Sequence, residues 1–318
     1  VGKIRAMIDE NPSDDVEKIY WKTYLETVRS GAELIRPVFD KSGGKYGYLS
    51  GQVDPRFVTD LERMRADAAD LKAIGPNVMV KVPGSKEGYQ LIEELTAEGV
   101  STNNTTSFTV PQYIACMNAV SRGLETARRN SVDLSKWRSV ITHMSARLGH
   151  VGDLQWQADQ RGIELTADEI TLGELAVMKR AYNHIQKTGH PSKMLMCSMR
   201  VSQDEAAGTA SSWHIQKLAG GDFVYTCPPS YIAALMQQED KLGPFDAHAV
   251  EEDISSESLN KLLKLPYFRQ AYEFGGMESE EFSQFGAFIT TASEFAVATR
   301  KTIDFVARVY ADTKQQAA

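Results

Sequence analysis

The sequence predicts an α/β fold in which parallel strands alternate with crossover helices. Short apolar or β-branched runs are separated by longer helical patterns along most of the 318 residues, which is typical of βαβ units with right-handed crossovers. Six such runs can be counted, whereas an eight-stranded βα barrel would need two more. The 42% hydrophobic and 24% charged content suits a folded domain and excludes a disordered or fibrous chain.

The first predicted element is a helix over residues 16–39, where apolar residues recur at helical spacing. After a glycine-containing turn, the aromatic and β-branched content of residues 46–53 predicts a strand, and residues 55–74 return to a helical pattern. The later elements are expected as strands at 77–82, 100–105, 137–145, 193–199 and 223–227 and as helices at 86–98, 110–128 and 167–187.

We expect residues 1–318 to form a single barrel domain. It carries a helical insertion at about 150–192 and a long C-terminal helix at about 278–310. That helix has an aromatic stripe at helical spacing, which indicates packing against the barrel. Partial cover of the mouth of the barrel and a subunit contact are alternatives. The stripe comprises Phe282, Phe285, Phe288 and Phe295.

Composition excludes several classes of partner and cofactor. The 42 acidic residues outnumber the 35 basic ones, for a net charge of -7, so no overall field attracts nucleic acid or anionic lipid. No apolar stretch is long enough for a membrane span. The 3 cysteines are widely spaced, which indicates a reducing, cytoplasmic setting. Histidines lack metal-ligand spacing and no nucleotide-binding loop is found, so neither a metal nor a cofactor is expected.

Lys81 is the most informative residue in the chain. It interrupts an otherwise apolar strand, and Pro83 and Gly84 end that strand directly after it. With a period of two, Lys81 shares a face with Met79 and emerges at the carboxyl end, where α/β barrels place their catalytic groups. Poor solvation is expected to lower its pKa from about 10.4, so that the free amine can attack a carbonyl. The alternative is a lysine that reaches solvent or pairs with a carboxylate.

Polar side chains also follow the ends of the other predicted strands. A structural polar residue usually occurs singly, so this recurrence indicates a site at one end of the sheet. The residues concerned are Gln52, Asn103, Thr105, Thr142, Arg147, Ser198 and Arg200.

The segments 50–54, 81–88 and 103–108, with Gln112, resemble the transaldolases and the related fructose-6-phosphate aldolases in order and spacing. Residues 142–147 and 197–200 look like the later segments of that family, and the resemblance runs from about residue 32 to residue 200. It implies an α/β fold of the TIM (β/α)8 type and a metal-free Schiff-base mechanism on sugar phosphates.

The resemblance also implies a role for each matching residue. Lys81 would form the Schiff base, Thr105 would hold the water that carries protons, and Gln52 would orient water. The substrate would be bound by Asn103, Thr142, Arg147, Ser198 and Arg200. Guanidinium groups grip phosphate through paired, charge-assisted hydrogen bonds, which fits the two arginines. Surface salt bridges are the alternative for each of them.

Three features depart from the family. Gln52 stands where classical transaldolases have a glutamate, and a glutamine at this position resembles the aldolase branch. Met144 stands where relatives have an aromatic residue. The first-strand aspartate and the second-strand Thr-Asn-Pro turn are not found. By this alignment the chain opens in the helix after the second strand, so we favour a missing upstream segment over an incomplete barrel.

These observations lead to one expected function and two alternatives. The leading expectation is transfer of a three-carbon dihydroxyacetone unit from a ketose phosphate to an aldose phosphate. An aldolase that releases free dihydroxyacetone, or a non-catalytic sugar-phosphate binder, are the alternatives. The oligomeric state stays open, a homo-oligomer included.

Overall fold

The main feature of the fold is a sheet of six parallel strands curled into a half-barrel. The computed structural model describes residues 1–204 and 207–317. The six strands lie in the order β1-β2-β3-β4-β5-β8, and β6 and β7 form a separate antiparallel pair. Their bounds are β1 Leu49–Gln52, β2 Val78–Pro83, β3 Thr102–Thr105, β4 Ser139–Met144, β5 Lys193–Cys197, β6 Ser202–Asp204, β7 Thr209–Ser211 and β8 Val224–Tyr225.

Helices connect the strands and cover one face of the sheet. Within the described ranges they are α1 Gly2–Glu10, α2 Val16–Lys41, α3 Leu61–Lys72, α4 Lys86–Ala97, α5 Val110–Arg129, α6 Ser145–His150, α7 Leu154–Gln160, α8 Ala167–Thr188, α9 Trp213–Gln216, α10 Pro229–Gln237, α11 Ser256–Leu262, α12 Pro266–Tyr272 and α13 Gly286–Ala317. Short 3₁₀ turns lie at Pro55–Phe57, Glu239–Lys241, Ala249–Glu251 and Ser279–Gln284.

The strand β2 divides its side chains between the two faces of the sheet. Val78, Val80 and Val82 belong to the main apolar core between sheet and helices. Lys81 therefore lies on the opposite, concave face, because neighbouring side chains of a strand point to opposite sides. This arrangement is the one predicted from the alternation around Lys81.

Side-chain caps fix where the chain turns from strand to helix. Ser85 accepts a hydrogen bond from the amide of Gly88 at the start of α4. Thr109 and Gln112 form a reciprocal capping box at the start of α5. Each cap satisfies amide groups that the first helical turn leaves without a partner. The ends of β2 and β3 are thereby followed by defined helix starts.

The predicted order of parallel strands is confirmed, and several boundaries change. The strand predicted at 46–53 begins only at Leu49, because residues 45–46 form a bend and Gly47 has a φ of 84°. The helix predicted at 278–310 is in two parts, since the extended backbone of Phe285, with a ψ of 132°, separates a 3₁₀ turn from α13. The β6–β7 pair was not predicted.

The aromatic stripe of the last helical region packs against the barrel, as predicted. Phe282 lies edge-on to Tyr89 with 5.7 Å between ring centroids, and Phe285 stacks on Tyr267 at 4.4 Å. Phe288 is also buried. No helix in the described ranges combines the length and apolar character that a membrane crossing requires.

Candidate active site

The carboxyl ends of five neighbouring strands bring the predicted residues to one face of the sheet. Gln52 of β1 pairs in register with Lys81 of β2, and Lys81 pairs with Asn103 of β3. Residues paired across parallel strands point to the same side, so these three side chains share the concave face. Thr105, Thr142 and Cys197 have the same facing by their registers. The strand ends thus form one polar group of residues.

Lys81 is partly shielded from water at this face. Burial lowers the pKa of its ammonium group, and the neighbouring Cys197 thiol opposes that shift. Among the described residues, no carboxylate forms an ion pair with Lys81, and its amine donates no hydrogen bond. The alternative prediction, that Lys81 pairs with a carboxylate, is therefore wrong for the described residues. An amine with a lowered pKa is available as a nucleophile closer to neutral pH.

Cys197, which the sequence reasoning did not select, lies beside Lys81. Burial raises the pKa of its thiol, while the charges of Lys81 and Arg147 oppose that shift. The period of β5 puts Cys197 on one face with Leu195 but does not say which face that is. The pairing of Leu195 with Thr142 shows that it is the concave one.

A short chain of hydrogen bonds fixes the amide of Asn103. The hydroxyl of Thr142 donates to Asn103 Oδ1 at 2.9 Å, and Asn103 Nδ2 donates to the hydroxyl of Ser50 at 3.0 Å. The hydroxyl of Ser107 donates to the Thr142 carbonyl at 2.6 Å. Asn103 and Thr142 are thus held together, and the register places Asn103 beside Lys81.

Thr105 ends β3 opposite Pro83. Its hydroxyl is buried and has no hydrogen-bond partner among the residues that the structure describes. Gln112 links this strand end to that of β2, because its Nε2 donates to the Gly84 carbonyl at 2.8 Å and its Oε1 accepts from the Phe108 amide at 2.9 Å. Gln112 thereby ties the turn after β2 to the turn after β3.

Gln52 lies at the edge of the site. The hydroxyl of Tyr24 accepts a hydrogen bond from the backbone N–H of Gln52 at 2.7 Å and donates one to the backbone carbonyl of Gln52 at 3.0 Å. These two bonds fix the end of β1 against α2. Together with Tyr24, Phe295 and Thr299, Gln52 lines a cavity of about 280 Å³ between β1, α2 and α13.

Arg147 and Arg200 each form an ion pair with a carboxylate from a distant helix. Arg147, on α6, contacts Glu294 of α13 at 2.6 Å. Arg200, beyond β5, contacts Glu174 of α8 at 3.1 Å. Ser198 precedes Arg200 with a φ of 58°, a left-handed conformation that is uncommon outside glycine.

Glu174 is the centre of a buried polar cluster that the sequence reasoning missed. Besides Arg200, it accepts from His214 Nε2 at 2.7 Å, and His214 Nδ1 accepts from the Arg200 amide at 3.3 Å. His143 contacts the Glu174 carbonyl at 3.0 Å and the Tyr113 hydroxyl, and burial lowers the pKa of His143 to about 3. A signal was present, since Glu174 stands among the apolar positions of α8 and a buried acid requires a partner.

Comparison with known proteins gives consistent matches. The family described as Transaldolase/Fructose-6-phosphate aldolase matches residues 2–273. A transaldolase of Saccharopolyspora erythraea is 30% identical over 228 residues, which are 68% of this chain and 61% of that protein. A transaldolase of Thiobacillus denitrificans is 28% identical over 236 residues, covering 70% and 64% respectively.

A higher identity is reached over a shorter stretch of the chain. Transaldolase 1 of Streptomyces avermitilis is 38% identical over 123 residues, which are 38% of this chain and 32% of that protein. The chain spans less than two thirds of the length of each of these relatives. The half-barrel, the polar strand ends and the family match over most of its length agree, and the chain belongs to the transaldolase/fructose-6-phosphate aldolase family.

Proposed function

We propose that the protein is a transaldolase that transfers a three-carbon dihydroxyacetone unit from a ketose phosphate to an aldose phosphate through a Schiff base on Lys81. The observation that carries the proposal is the partly buried, carboxylate-free amine of Lys81, whose pKa is lowered by burial and which shares one sheet face with Asn103 and Thr105. Family membership supports the class of reaction. We further propose that residues 1–318 form one barrel unit with its helical insertion. The free cysteines support a cytoplasmic setting.

The reaction begins with the neutral amine of Lys81. It attacks the C2 carbonyl of the ketose phosphate, and loss of water leaves a protonated imine that withdraws electrons from C3. The 4-hydroxyl then gives up its proton, the C3–C4 bond breaks, and its electron pair forms the enamine. The departing part leaves as an aldose phosphate. The enamine next attacks the carbonyl carbon of an acceptor aldose phosphate, and hydrolysis of the new imine regenerates the amine.

The remaining residues hold the substrate and move protons. We assign the three-carbon unit to the amide of Asn103, whose orientation is fixed by Thr142 and Ser50. The buried hydroxyl of Thr105, with free hydrogen-bonding capacity, is suited to hold the water that exchanges protons with the intermediate. Arg147, Ser198 and Arg200 are assigned to the phosphate. Because the enamine stays attached, the acceptor meets a nucleophile that is already positioned.

Trapping of the intermediate tests the proposal. Sodium borohydride added with fructose 6-phosphate reduces the imine, so peptide mass spectrometry should find a reduced three-carbon unit on the peptide that contains Lys81. Borohydride without sugar is the control. A label on another lysine, or no label at all, would contradict the assignment.

The pH dependence follows from the lowered pKa of Lys81. Below that pKa the amine is protonated and cannot attack, so kcat/KM should rise with pH and reach half its plateau well below the ordinary lysine pKa of about 10.4. The measurement is kcat/KM against pH, with circular dichroism at each pH to confirm that the protein is folded. A rising limb centred at or above the ordinary value would count against a buried nucleophile.

Gln52 favours a second candidate function, cleavage that releases free dihydroxyacetone. A glutamine amide cannot exchange a proton as a carboxylate does, and this amide shares the sheet face of Lys81. The two activities are separated by measuring dihydroxyacetone release with and without erythrose 4-phosphate. A transferase releases little of the free ketone until hydrolysis of the enzyme-bound unit, whereas an aldolase releases it in every turnover.

A further inference from the structure

The first observation concerns the surroundings of Arg147. Its guanidinium donates from Nη1 to Glu294 at 2.6 Å and to the hydroxyl of Thr291 at 3.3 Å, and its carbon Cζ lies 5.4 Å from the centre of the Phe295 ring. Thr291, Glu294 and Phe295 are spaced three and four residues apart, so they form one face of α13. Helix α13 thus contacts Arg147, which is assigned to the substrate phosphate, with a hydroxyl group, a carboxylate and an aromatic ring.

The second observation is that both arginines already have a carboxylate partner, Glu294 for Arg147 and Glu174 for Arg200. In each pair, the charge of the guanidinium group is matched by one carboxylate before any substrate arrives. A phosphate that binds to either arginine must therefore share or replace the contacts that the carboxylate makes.

The two carboxylates differ in how easily they can yield. The side chain of Glu174 is fully buried, with 0% exposure, whereas that of Glu294 is 50% exposed. When Glu294 separates from Arg147, its carboxylate can rotate towards the solvent and be hydrated, so the separation costs little free energy. Separation of Glu174 from Arg200 would leave the Glu174 carboxylate buried without that partner, and this costs far more free energy than the separation of Glu294 from Arg147. Competition for the substrate anion therefore takes place at Glu294.

We propose that Glu294 is a specificity-determining residue that competes with the anionic end of the sugar for Arg147 and so weakens the preference for phosphorylated over neutral substrates. This inference rests on the proposed function, because it assigns the substrate phosphate to Arg147. The substrate class that it adds is ketoses of low charge, such as unphosphorylated fructose, which the site tolerates better than two unpaired arginines would.

The test compares Glu294→Gln with the parent protein. The amide keeps the size of the side chain and a hydrogen-bonding oxygen, but removes the charge. We expect the ratio of kcat/KM for fructose 6-phosphate to that for fructose to rise about fivefold, with the change in KM rather than in kcat, since about 1 kcal/mol is a usual strength for a half-exposed ion pair. The inhibition constant of inorganic phosphate should fall by a similar factor. Glu294→Asp, which keeps the charge, should stay nearer to the parent ratio.

Two further variants separate this effect from others. Glu280→Gln removes the same charge from an exposed ion pair with Lys86, away from Arg147, and should leave the substrate ratio unchanged. In Arg147→Gln, the added Glu294→Gln substitution should no longer change phosphate binding, because Glu294 is argued to act through that arginine. An unchanged ratio in Glu294→Gln, or an equal effect in the Arg147→Gln background, would overturn the inference.

Failure of the proposed function is detected separately. Isothermal titration calorimetry with inorganic phosphate measures the competition at Arg147 without any turnover. Tighter phosphate binding by Glu294→Gln together with no borohydride label on Lys81 would leave the competition standing and reject the transferase. Labelling of Lys81 with identical phosphate affinities would do the reverse.

Discussion

Replacing Lys81 with methionine is expected to lower kcat/KM by about 10⁴-fold or more, because the covalent route through the imine is removed altogether. Borohydride should then label no peptide in the presence of fructose 6-phosphate. The variant keeps the approximate length of the side chain and removes its amine. Turnover by this variant at the parent rate would refute the mechanism.

The same substitution should raise stability, and the effect should depend on pH. Since burial lowers the pKa of Lys81 in the folded state, the unfolded chain binds more protons between that lowered value and about 10.4, and the stability of the parent increases with pH across this window. The gain from methionine is therefore largest below the lowered pKa and disappears above the ordinary lysine value. Urea unfolding at several pH values measures it.

Lys179 provides a matched control for both effects. Burial lowers its pKa as well, but its amine donates to the carbonyls of Ala249 and Glu252 at 2.7 and 2.6 Å, and it lies on α8 away from the strand ends. Lys179→Met should retain the borohydride label on Lys81 and lose stability, because two carbonyl groups lose their donor. The two methionine variants are thus expected to change stability in opposite directions.

Replacing Glu174 with alanine is expected to lower the free energy of unfolding by about 3 kcal/mol. The carboxylate is fully buried and holds both Arg200 and His214, so its removal leaves a buried histidine and a partly buried arginine without their acceptor. Arg200 can regain some water, which keeps the loss at the lower end of the usual range for a broken buried pair. Urea unfolding followed by circular dichroism gives the value.

The control for this prediction is Glu33→Ala, an exposed glutamate on α2, which should change stability by less than about 0.5 kcal/mol. Glu174→Gln, which retains an acceptor oxygen, should lose less than the alanine variant. Equal stability of all three variants would show that the cluster around Glu174 contributes nothing to folding.

Strand parity allowed most of the candidate site to be predicted, because it is a local property. Alternation put Lys81 on the face opposite the valines of its strand, and the recurrence of polar residues at strand ends put Asn103 in the same site. The registers of β1 to β3 place both side chains on one face. The paired carboxylates could not be found in this way. Glu294 is 147 residues from Arg147 and Glu174 is 26 residues from Arg200, and periodicity within an element does not state which distant side chain meets which.

Boundaries failed where a single backbone angle interrupts a favourable composition. The first strand was predicted too long because Tyr46 and Tyr48 have strand propensity, although the left-handed Gly47 lies between them. The final helix was predicted to start early because aromatic residues keep their spacing across Phe285, where the backbone is extended. In both places, the periodicity of the sequence was typical of the predicted element, but the backbone conformation of one residue interrupts that element.

The contact between Arg147 and Glu294 can open without any movement of α13. Its 32 residues make a rod of about 48 Å, whose far part packs through Val306 and Val309 against Ile4 and Ile8 of α1. Swinging this rod away would open that apolar contact, whereas a turn of the Glu294 side chain alone disturbs nothing else. Rotamer changes of exposed side chains take picoseconds to nanoseconds. The exchange of Glu294 for an anion at Arg147 therefore requires the rotation of one side chain and leaves the apolar contact between α13 and α1 closed.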